Sequence, residues 1–340
     1  MKVVMYHGQR DVRVEEVPVP EVEDDEILIE MRACGICGSD LMDWYLKPRA
    51  PLVLGHEPAG VITKKGKKVN EFETGDRVFV HHHVACLTCH FCLRGDYTLC
   101  EQFHRTNIKP GGFAKYFKVP AENVKIDTLK IPDELSFEEA TFIEPVGCCL
   151  RAMRKCGIKT GDTVAIVGAG TTGLIHSALS KICGARETIV TDLVDFRLKS
   201  ARKFGADITI NPKNVDLETV AKEETEGRGV DAAIVTAPSL EAYKSALKIC
   251  RKGGTLCVFA PTEPGSYLQL SPKDLFFSEI RIIPSYSTSH RETRMALELL
   301  RSGKIPVKDL ITHRFKLAEA AKAFDTALNN KESLRVLIVN

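Results

Sequence analysis

The stretch that decides the fold is Thr163-Val164-Ala165-Ile166-Val167-Gly168-Ala169-Gly170-Thr171-Thr172-Gly173. Its first five residues predict a buried strand, and a helix-like stretch follows from Thr172 to Cys183. A second strand over 188–192 then ends in Asp192. The glycines fit the pattern G-x-G-x-x-G within the strand, turn and helix that this pattern requires. The sequence therefore predicts the first βαβ unit of a doubly wound parallel sheet.

The glycine-rich turn predicts a dinucleotide site. Glycines permit a tight turn and close approach of a pyrophosphate, whose charge is stabilised by free N–H groups and the positive end of the helix. Asp192 would accept hydrogen bonds from ribose hydroxyls and repel a 2′-phosphate, which favours NAD, although Arg197 lies near enough to weaken this preference. An ordinary strand-turn-helix is the alternative. The turn residues expected at the coenzyme are Gly168, Gly170, Thr171, Thr172 and Gly173.

Strand and helix patterns outside this stretch predict an α/β protein with two domains. Strands continue to alternate with helices through 255–259, as a parallel sheet requires. The first 80 residues instead carry short strand-like runs separated by turn residues, which indicates a small barrel or sandwich. The end of the chain, after Pro284, is too short for a third domain. We therefore expect 1–147 and 285–340 to form one domain and 148–284 the other.

Composition excludes several classes of protein. The 340 residues carry 47 Lys and Arg against 45 Asp and Glu, a net charge of +2, with 44% hydrophobic and 27% charged residues. These percentages are typical of a folded globular protein. The near-neutral net charge gives no indication of a basic surface for nucleic acid or for an anionic membrane. No apolar run approaches the roughly 20 residues that span a bilayer. With no export signal at the start, we expect a cytoplasmic protein.

Four of the twelve cysteines are crowded into one segment. Cys86, Cys89, Cys92 and Cys100 have the spacing of a four-thiolate metal site. Four protein ligands leave no open position, so the lobe 86–100 is predicted to hold a structural zinc ion. An iron–sulfur cluster and four unligated thiols are the alternatives. A zinc ribbon for nucleic acid is disfavoured because the flanks carry little basic density.

A second set of metal-ligand residues is spread over the first half of the chain. Its members are Cys37, His56, Glu57 and Glu144. A thiolate, an imidazole and a carboxylate leave room for water or substrate, as a catalytic zinc ion requires. A surface His-Glu pair and a core cysteine are the alternative interpretation.

The run His81-His82-His83 also suggests a metal site. Strand alternation would place His81 and His83 on one face and His82 on the other, so we do not expect the three rings to act together.

Several motifs together resemble the zinc-dependent medium-chain dehydrogenases, the family of alcohol, sorbitol and threonine dehydrogenases. The segment Gly55-His56-Glu57-x-x-Gly60-x5-Gly66-x-x-Val69 matches the zinc signature of that family. Gly35-x-Cys37-Gly38-Ser39-Asp40, the four-cysteine lobe, Gly75–Val78, Gly111–Ala114 and the nucleotide turn occur in the family's order. The resemblance implies a GroES-like barrel domain built from both ends of the chain around a Rossmann domain, with the active site in the cleft between them.

The resemblance also implies roles for individual residues. Cys37 and His56 correspond to ligands of the catalytic zinc ion, and Glu57 and Glu144 are each a ligand or a close neighbour of it. Ser39 matches the hydroxyl that relays the substrate proton, and Asp40 would orient His56 from behind. Because adjacent side chains on an extended strand point oppositely, His56 and Glu57 can both reach one ion only if the chain bends there.

The activity that the resemblance implies is hydride transfer from a secondary alcohol to NAD, giving a ketone and NADH. The ligand set is closest to that of the polyol and sugar dehydrogenases, so a polyol, sugar or cyclitol is the expected substrate, with two zinc ions per chain. A threonine or amino-alcohol dehydrogenase, a keto-sugar-acid dehydrogenase and a non-catalytic dinucleotide-binding redox sensor are the alternatives. An edge strand over 280–283 suggests a homodimer or homotetramer, and no nucleic-acid or membrane partner is expected.

Overall fold

A computed structural model describes residues 1–9 and 11–340, which fall into two compact units. The first unit comprises Met1–Gly147 and Thr288–Asn340, and the second comprises Cys148–Ser287. None of the helices in the described residues combines the length and the apolar character needed to cross a membrane.

Sixteen strands are found among the described residues. They are β1 (Lys2–Gly8), β2 (Asp11–Glu16), β3 (Ile27–Gly35), β4 (Leu52–Val53), β5 (Pro58–Lys65), β6 (Arg77–Val80), β7 (Tyr116–Val119), β8 (Thr128–Lys130), β9 (Thr163–Val167), β10 (Glu187–Thr191), β11 (Ile208–Ile210), β12 (Val230–Val235), β13 (Cys250–Val258), β14 (Arg281–Pro284), β15 (Ile311–Lys316) and β16 (Arg335–Val339).

Thirteen α-helices are found in the same residues. They are α1 (Asp43–Leu46), α2 (His90–Leu93), α3 (Glu101–Arg105), α4 (Ala121–Asp127), α5 (Phe137–Ala140), α6 (Ile143–Cys156), α7 (Thr171–Ile182), α8 (Asp195–Lys203), α9 (Leu217–Glu223), α10 (Leu240–Ile249), α11 (Pro272–Ser278), α12 (His290–Arg301) and α13 (Ala320–Asn329).

The first unit is built on two sheets. The smaller sheet has the order β2-β1-β4, and the larger has the order β15-β16-β3-β5-β6-β8 with β7 added to β3. Strand β3 supplies much of the core, because Ile27, Ile29 and Met31 alternate along it and are completely buried. These side chains share one face because successive side chains of a strand point to opposite sides of the sheet.

The second unit is a six-stranded parallel sheet with the order β11-β10-β9-β12-β13-β14. Counted from β9, this is the order 3-2-1-4-5-6 of a doubly wound nucleotide-binding fold. All five residues of β9 are buried, as expected for a central parallel strand covered by helices on both faces. The predicted α/β class and doubly wound sheet are confirmed. The strand predicted over 255–259 begins earlier, at Cys250.

Candidate metal centres and dinucleotide turn

Strand pairing in the first unit brings distant segments of the sequence together. Cys34 of β3 lies opposite Pro58 of β5, and Gly35 lies opposite Leu337 of β16. The loop that follows β3, the loop that precedes β5 and the start of β16 therefore meet at one end of the sheet. Cys37, His56 and Arg335 lie on these three segments.

Cys37, His56 and Glu57 form a candidate metal cluster. Each offers a ligand atom, and these atoms all lie within 4.8 Å of one another. The chain bends at Gly55, which has a φ of +90°. A Cβ there would lie 2.6 Å from the backbone nitrogen of Phe113, so a larger residue would not fit. Because the chain bends here, the side chains of His56 and Glu57 can reach the same point although the two residues are adjacent in sequence.

Asp40 contacts both Cys37 and His56 and so helps to position them. Its carboxylate is 3% exposed; Oδ2 accepts a hydrogen bond from the backbone N–H of Cys37 at 3.0 Å, and Oδ1 lies 3.4 Å from Nδ1 of His56. An acceptor behind one ring nitrogen leaves the other, Nε2, available for a metal ion.

The charges of the cluster reinforce one another. Burial disfavours the charged form of His56, but Asp40 and Cys37 raise its pKa well above the ordinary value. Burial likewise works against the thiolate of Cys37, yet the charge of His56 and its hydrogen bond lower the pKa of that thiol. These shifts favour a thiolate, which is the form that binds metal, beside a protonated imidazole, which loses its proton when Nε2 binds a metal ion.

Glu57 is completely buried and pairs with a residue that the sequence analysis missed. Its Oε2 accepts a hydrogen bond from Nη2 of Arg335, whose Nη1 donates to the carbonyl oxygen of Ile36 at 3.2 Å. Burial lowers the pKa of Arg335, which is 3% exposed. The other oxygen of Glu57, Oε1, lies 4.0 Å from Nε2 of His56 and has no hydrogen-bond partner among the described residues. The sequence did contain a signal for this contact, because Arg335 is a charged residue at the start of an otherwise apolar strand.

These donors fit a zinc ion with an open coordination position. Thiolate, imidazole and carboxylate are the ligands of catalytic zinc, and the unpaired Oε1 of Glu57 lies close to His56. Glu144, which is buried in the first turn of α6, lies outside this group of three, but it is a close neighbour because its negative charge acts on the thiol of Cys37. Ser39 lies on the short 3-10 helix Gly38–Leu41 directly after Cys37 and is partly exposed.

The four cysteines of the lobe 86–100 form a second candidate metal cluster. Sγ of Cys92 lies 3.9 Å from Sγ of Cys86 and 3.5 Å from Sγ of Cys89. With zinc–sulfur bonds of about 2.3 Å, the sulfurs of a tetrahedral site lie about 3.8 Å apart, so this geometry fits zinc. Hydrogen bonds from Thr88 and from nearby backbone N–H groups lower the pKa of Cys86 to about 6. Burial raises the pKa of Cys92 to about 12.

The strand expected to hold the histidine run ends before it, yet the rings of His81 and His83 both lie against Phe103, on one side, as the expected alternation would place them. Strand β6 ends at Val80, so the three histidines lie in the loop that follows it. His81 binds Asp127 through Nδ1 at 3.1 Å, and Nδ1 of His83 is hydrogen-bonded to the carbonyl oxygen of Thr106. The ring of His82 lies with its centroid 5.0 Å from that of His56.

The glycine-rich turn of the second unit has the tight geometry that a dinucleotide requires. Gly168 has a φ of +111°, and a Cβ at this position would lie 2.7 Å from Oγ1 of Thr236. A Cβ at Gly173 would lie 1.9 Å from the carbonyl oxygen of Gly168, so only glycine allows this contact of helix and strand. Helix α7 begins at Thr171, with Thr172 also in its first turn, and its N-cap, Gly170, supplies no side-chain cap.

Asp192 lies directly after β10 and faces this turn. Its Oδ2 accepts a hydrogen bond from the backbone N–H of Ala169 at 2.8 Å, and its Oδ1 accepts one from Val194 at 2.9 Å. Nη1 of Arg197 lies 3.9 Å from Oδ2. The turn, the helix start and the carboxylate thus have the arrangement that binds a dinucleotide.

Comparison with known families matches both units. Residues 23–133 match the alcohol dehydrogenase GroES-like domain, and residues 171–302 match the zinc-binding dehydrogenase domain. The chain is 37% identical to the sorbitol dehydrogenase of Bacillus subtilis (strain 168), over 99% of this chain and 97% of that protein.

Two solved structures are similar over the whole chain. One is a zinc-binding dehydrogenase of Sinorhizobium meliloti 1021 bound to NADP, with a TM-score of 0.90 and 29% identity over 100% of this chain and 99% of that one. The other is the galactitol-1-phosphate dehydrogenase of Escherichia coli, with a TM-score of 0.89 and 28% identity over 100% of both chains.

Proposed function

The chain belongs to the zinc-dependent medium-chain dehydrogenase family, and from this premise we propose that it oxidises a secondary hydroxyl of a polyol to a ketone with NAD as hydride acceptor. The observation that carries the proposal is the cluster of Cys37, His56 and Glu57 in the first unit. The names of the relatives support a polyol substrate, because they include sorbitol and D-arabinitol dehydrogenases. We propose that 1–147 and 285–340 form the catalytic domain and 148–284 the coenzyme domain.

Residues of the first unit would hold the catalytic ion and handle the proton. Cys37 and His56 would bind zinc, with Glu57 or Glu144 supplying the carboxylate. When bound, zinc supplies Lewis acidity, which makes a substrate hydroxyl more acidic, and the nicotinamide of NAD accepts the hydride. Ser39 would relay the substrate proton, since its hydroxyl oxygen would take up that proton while its own O–H proton passes to solvent. The four cysteines of the lobe 86–100 would hold a second, structural zinc ion.

Residues of the second unit would hold the coenzyme. The backbone from Gly168 to Gly173 would face the pyrophosphate, and the N-terminus of α7 would stabilise its charge. Asp192 would accept hydrogen bonds from the adenosine ribose and repel a 2′-phosphate. Arg197 lies beside that carboxylate and reduces the repulsion, so NAD is the proposed coenzyme with some use of NADP.

The proposal is tested by metal analysis together with a substrate panel. Purified protein should contain two zinc ions per chain and form NADH with polyols faster than with monohydric alcohols or L-threonine. The panel is run with both NAD and NADP. Two bound metal ions without turnover on any member would refute the proposed activity, and faster turnover of L-threonine would favour the amino-alcohol alternative.

A substitution at Cys37 tests the role of the first cluster. Cys37→Ala should lose one zinc ion and turnover while binding of NADH, followed by coenzyme fluorescence, stays intact. Cys183→Ser is the matched control, because Cys183 lies outside both cysteine-containing clusters. Normal turnover of Cys37→Ala would exclude Cys37 as a ligand.

We also propose that two copies associate through the second unit in the cytoplasm. Strand β14 is the last strand of its sheet, and Phe276 and Phe277 of the adjacent α11 are 76% and 68% exposed. An edge strand next to exposed aromatic side chains favours pairing with another sheet. Sedimentation should show a dimer or tetramer that dissociates more readily in Phe276→Ser/Phe277→Ser. A monomeric wild-type protein would refute this assembly.

A further inference from the structure

Two cysteines of the second unit that belong to neither metal cluster lie in contact with each other. Cys156 is the last residue of α6, and Cys257 lies in β13. Both are free thiols, and a hydrogen bond joins their side chains. They are about 100 residues apart in the chain, so the fold brings them together and the local sequence does not.

The sheet and the end of α6 hold the two cysteines in place. Cys257 lies opposite Ile283 in the pairing of β13 with β14. Its neighbour Leu256 packs in the core with residues of α10, so Cys257 points to the other face of the sheet. Nζ of Lys155 donates a hydrogen bond to the carbonyl oxygen of Pro284, the last residue of β14. This bond fastens the end of α6 to the strand beside Cys257.

The two thiols differ in acidity. The hydrogen bond from Cys257 lowers the pKa of Cys156 against the effect of burial, and the positive charges of Arg281 and Lys155 act in the same direction. The same hydrogen bond, together with burial, raises the pKa of Cys257 well above its ordinary value. Cys156 is therefore the sulfur that more readily becomes a nucleophilic thiolate, while Cys257 beside it stays a thiol.

The place of Cys156 at a helix end gives a small oxidant a route to it. Cys156 is only 2% exposed, but Lys155 and Gly157 on either side of it are exposed. Gly157 has a φ of +66°, and a Cβ there would meet no heavy atom of the described residues within 4 Å. The last turn of a helix opens more easily than its middle, because its final carbonyl groups lack partners within the helix. Opening of this turn exposes Cys156, whereas Cys257 stays covered within its strand.

We propose that Cys156 and Cys257 form an oxidation site, at which hydrogen peroxide converts the two thiols reversibly to a disulfide. The thiolate of Cys156 attacks one peroxide oxygen, the O–O bond breaks, and the leaving hydroxide takes up a proton to become water. The sulfur of Cys257 then attacks the resulting sulfenic acid. An S–S bond forms, the S–O bond breaks, and the second hydroxide leaves as water with the proton of Cys257. The two sulfurs lose two electrons and the peroxide gains them.

The disulfide has a structural consequence that does not depend on the proposed function. It would connect the end of α6 to β13 across a loop of about 100 residues, which restricts the unfolded chain and so stabilises the second unit. Capture of the sulfenic acid by Cys257 would also prevent further, irreversible oxidation of Cys156. Neither effect requires a metal ion or an alcohol substrate.

Peptide mapping after peroxide treatment tests the site in the zinc-loaded protein. A zinc indicator sets the peroxide concentration below the level that releases metal, and free thiols are alkylated before digestion. Trypsin yields the peptides 156–159 and 253–273, each with a single cysteine, so a disulfide between them is assigned without ambiguity. The linked pair should form with peroxide and disappear with dithiothreitol. The thermal midpoint of the oxidised protein should lie several degrees above that of the reduced protein and return on reduction.

Variants separate the roles of the two sulfurs, with circular dichroism as the check on folding. In Cys257→Ala, peptide 156–159 should gain two or three oxygen atoms, because no second thiol captures the sulfenic acid. In Cys156→Ala, Cys257 should stay reduced under the same treatment. Cys250→Ala is the matched control, since it removes another free cysteine of β13 and should form the linked pair at the wild-type rate. Absence of the linked pair from the wild-type protein, or equally fast oxidation of Cys257 in Cys156→Ala, would overturn the inference.

Discussion

His176 gives a quantitative prediction about the second unit. This residue of α7 is completely buried, packs against the ring of Phe259 at 4.7 Å, and has no hydrogen-bond partner for either ring nitrogen in the part of the chain that the structure describes. Burial lowers its pKa from 6.5 to about 3. The folded protein therefore keeps His176 neutral where the unfolded chain binds a proton.

The sign and size of the effect follow from linkage. Because the pKa of His176 is lower in the folded state, its stabilising contribution is complete above pH 6.5 and is lost as the pH falls toward 3. With these two pKa values, unfolding near pH 5 is favoured by about 2 kcal/mol relative to pH 7.5. His176→Leu fills a similar volume without a titratable group, so this loss should disappear.

Urea unfolding followed by circular dichroism measures the difference between His176→Leu and the wild-type protein at both pH values. The free energy of unfolding of the variant, relative to that of the wild type, should be about 2 kcal/mol higher at pH 5 than at pH 7.5. Acid release of metal affects both proteins equally and cancels in this difference. Ile175→Val is the control: it loosens the same buried helix and should cost about 0.5–1.5 kcal/mol at both pH values. A gap between His176→Leu and wild type that does not change with pH would refute the reasoning.

Three further predictions concern the candidate sites. Arg335→Met leaves the carboxylate of Glu57 buried without its partner and should lower the free energy of unfolding by about 3–5 kcal/mol. The double variant with Glu57→Gln should recover much of this loss. If the losses of the two single variants are purely additive, the pairing is contradicted. Cys100→Ser should remove one zinc ion per chain and lower the thermal midpoint, and retention of both ions would exclude the four-cysteine site. Asp192→Gly should raise the ratio of kcat/KM with NADP to that with NAD by about 10-fold or more, and an unchanged ratio would show that the carboxylate does not select the coenzyme.

Local patterns determined much of the protein from sequence alone. The turn from Gly168 to Gly173 lies between adjacent elements of the chain, so its strand, its helix and the parallel sheet could be predicted. The four cysteines of the lobe 86–100 are close in sequence, and a single curled segment can bring them to one point. Sites whose residues are close together in the sequence can therefore be predicted without knowledge of the fold.

Strand pairing between distant parts of the chain decided the contacts that local patterns could not predict. Cys37, His56 and Arg335 are far apart in the chain, and they meet because β3 pairs with both β5 and β16. The pairing of Glu57 with Arg335 and the approach of His82 to His56 are likewise absent from any local pattern. The end of β6 at Val80 also places the histidine run in a loop and not in the strand expected for it. Hydrogen bonding between strands fixes such contacts, whereas residue spacing constrains only neighbours along the chain.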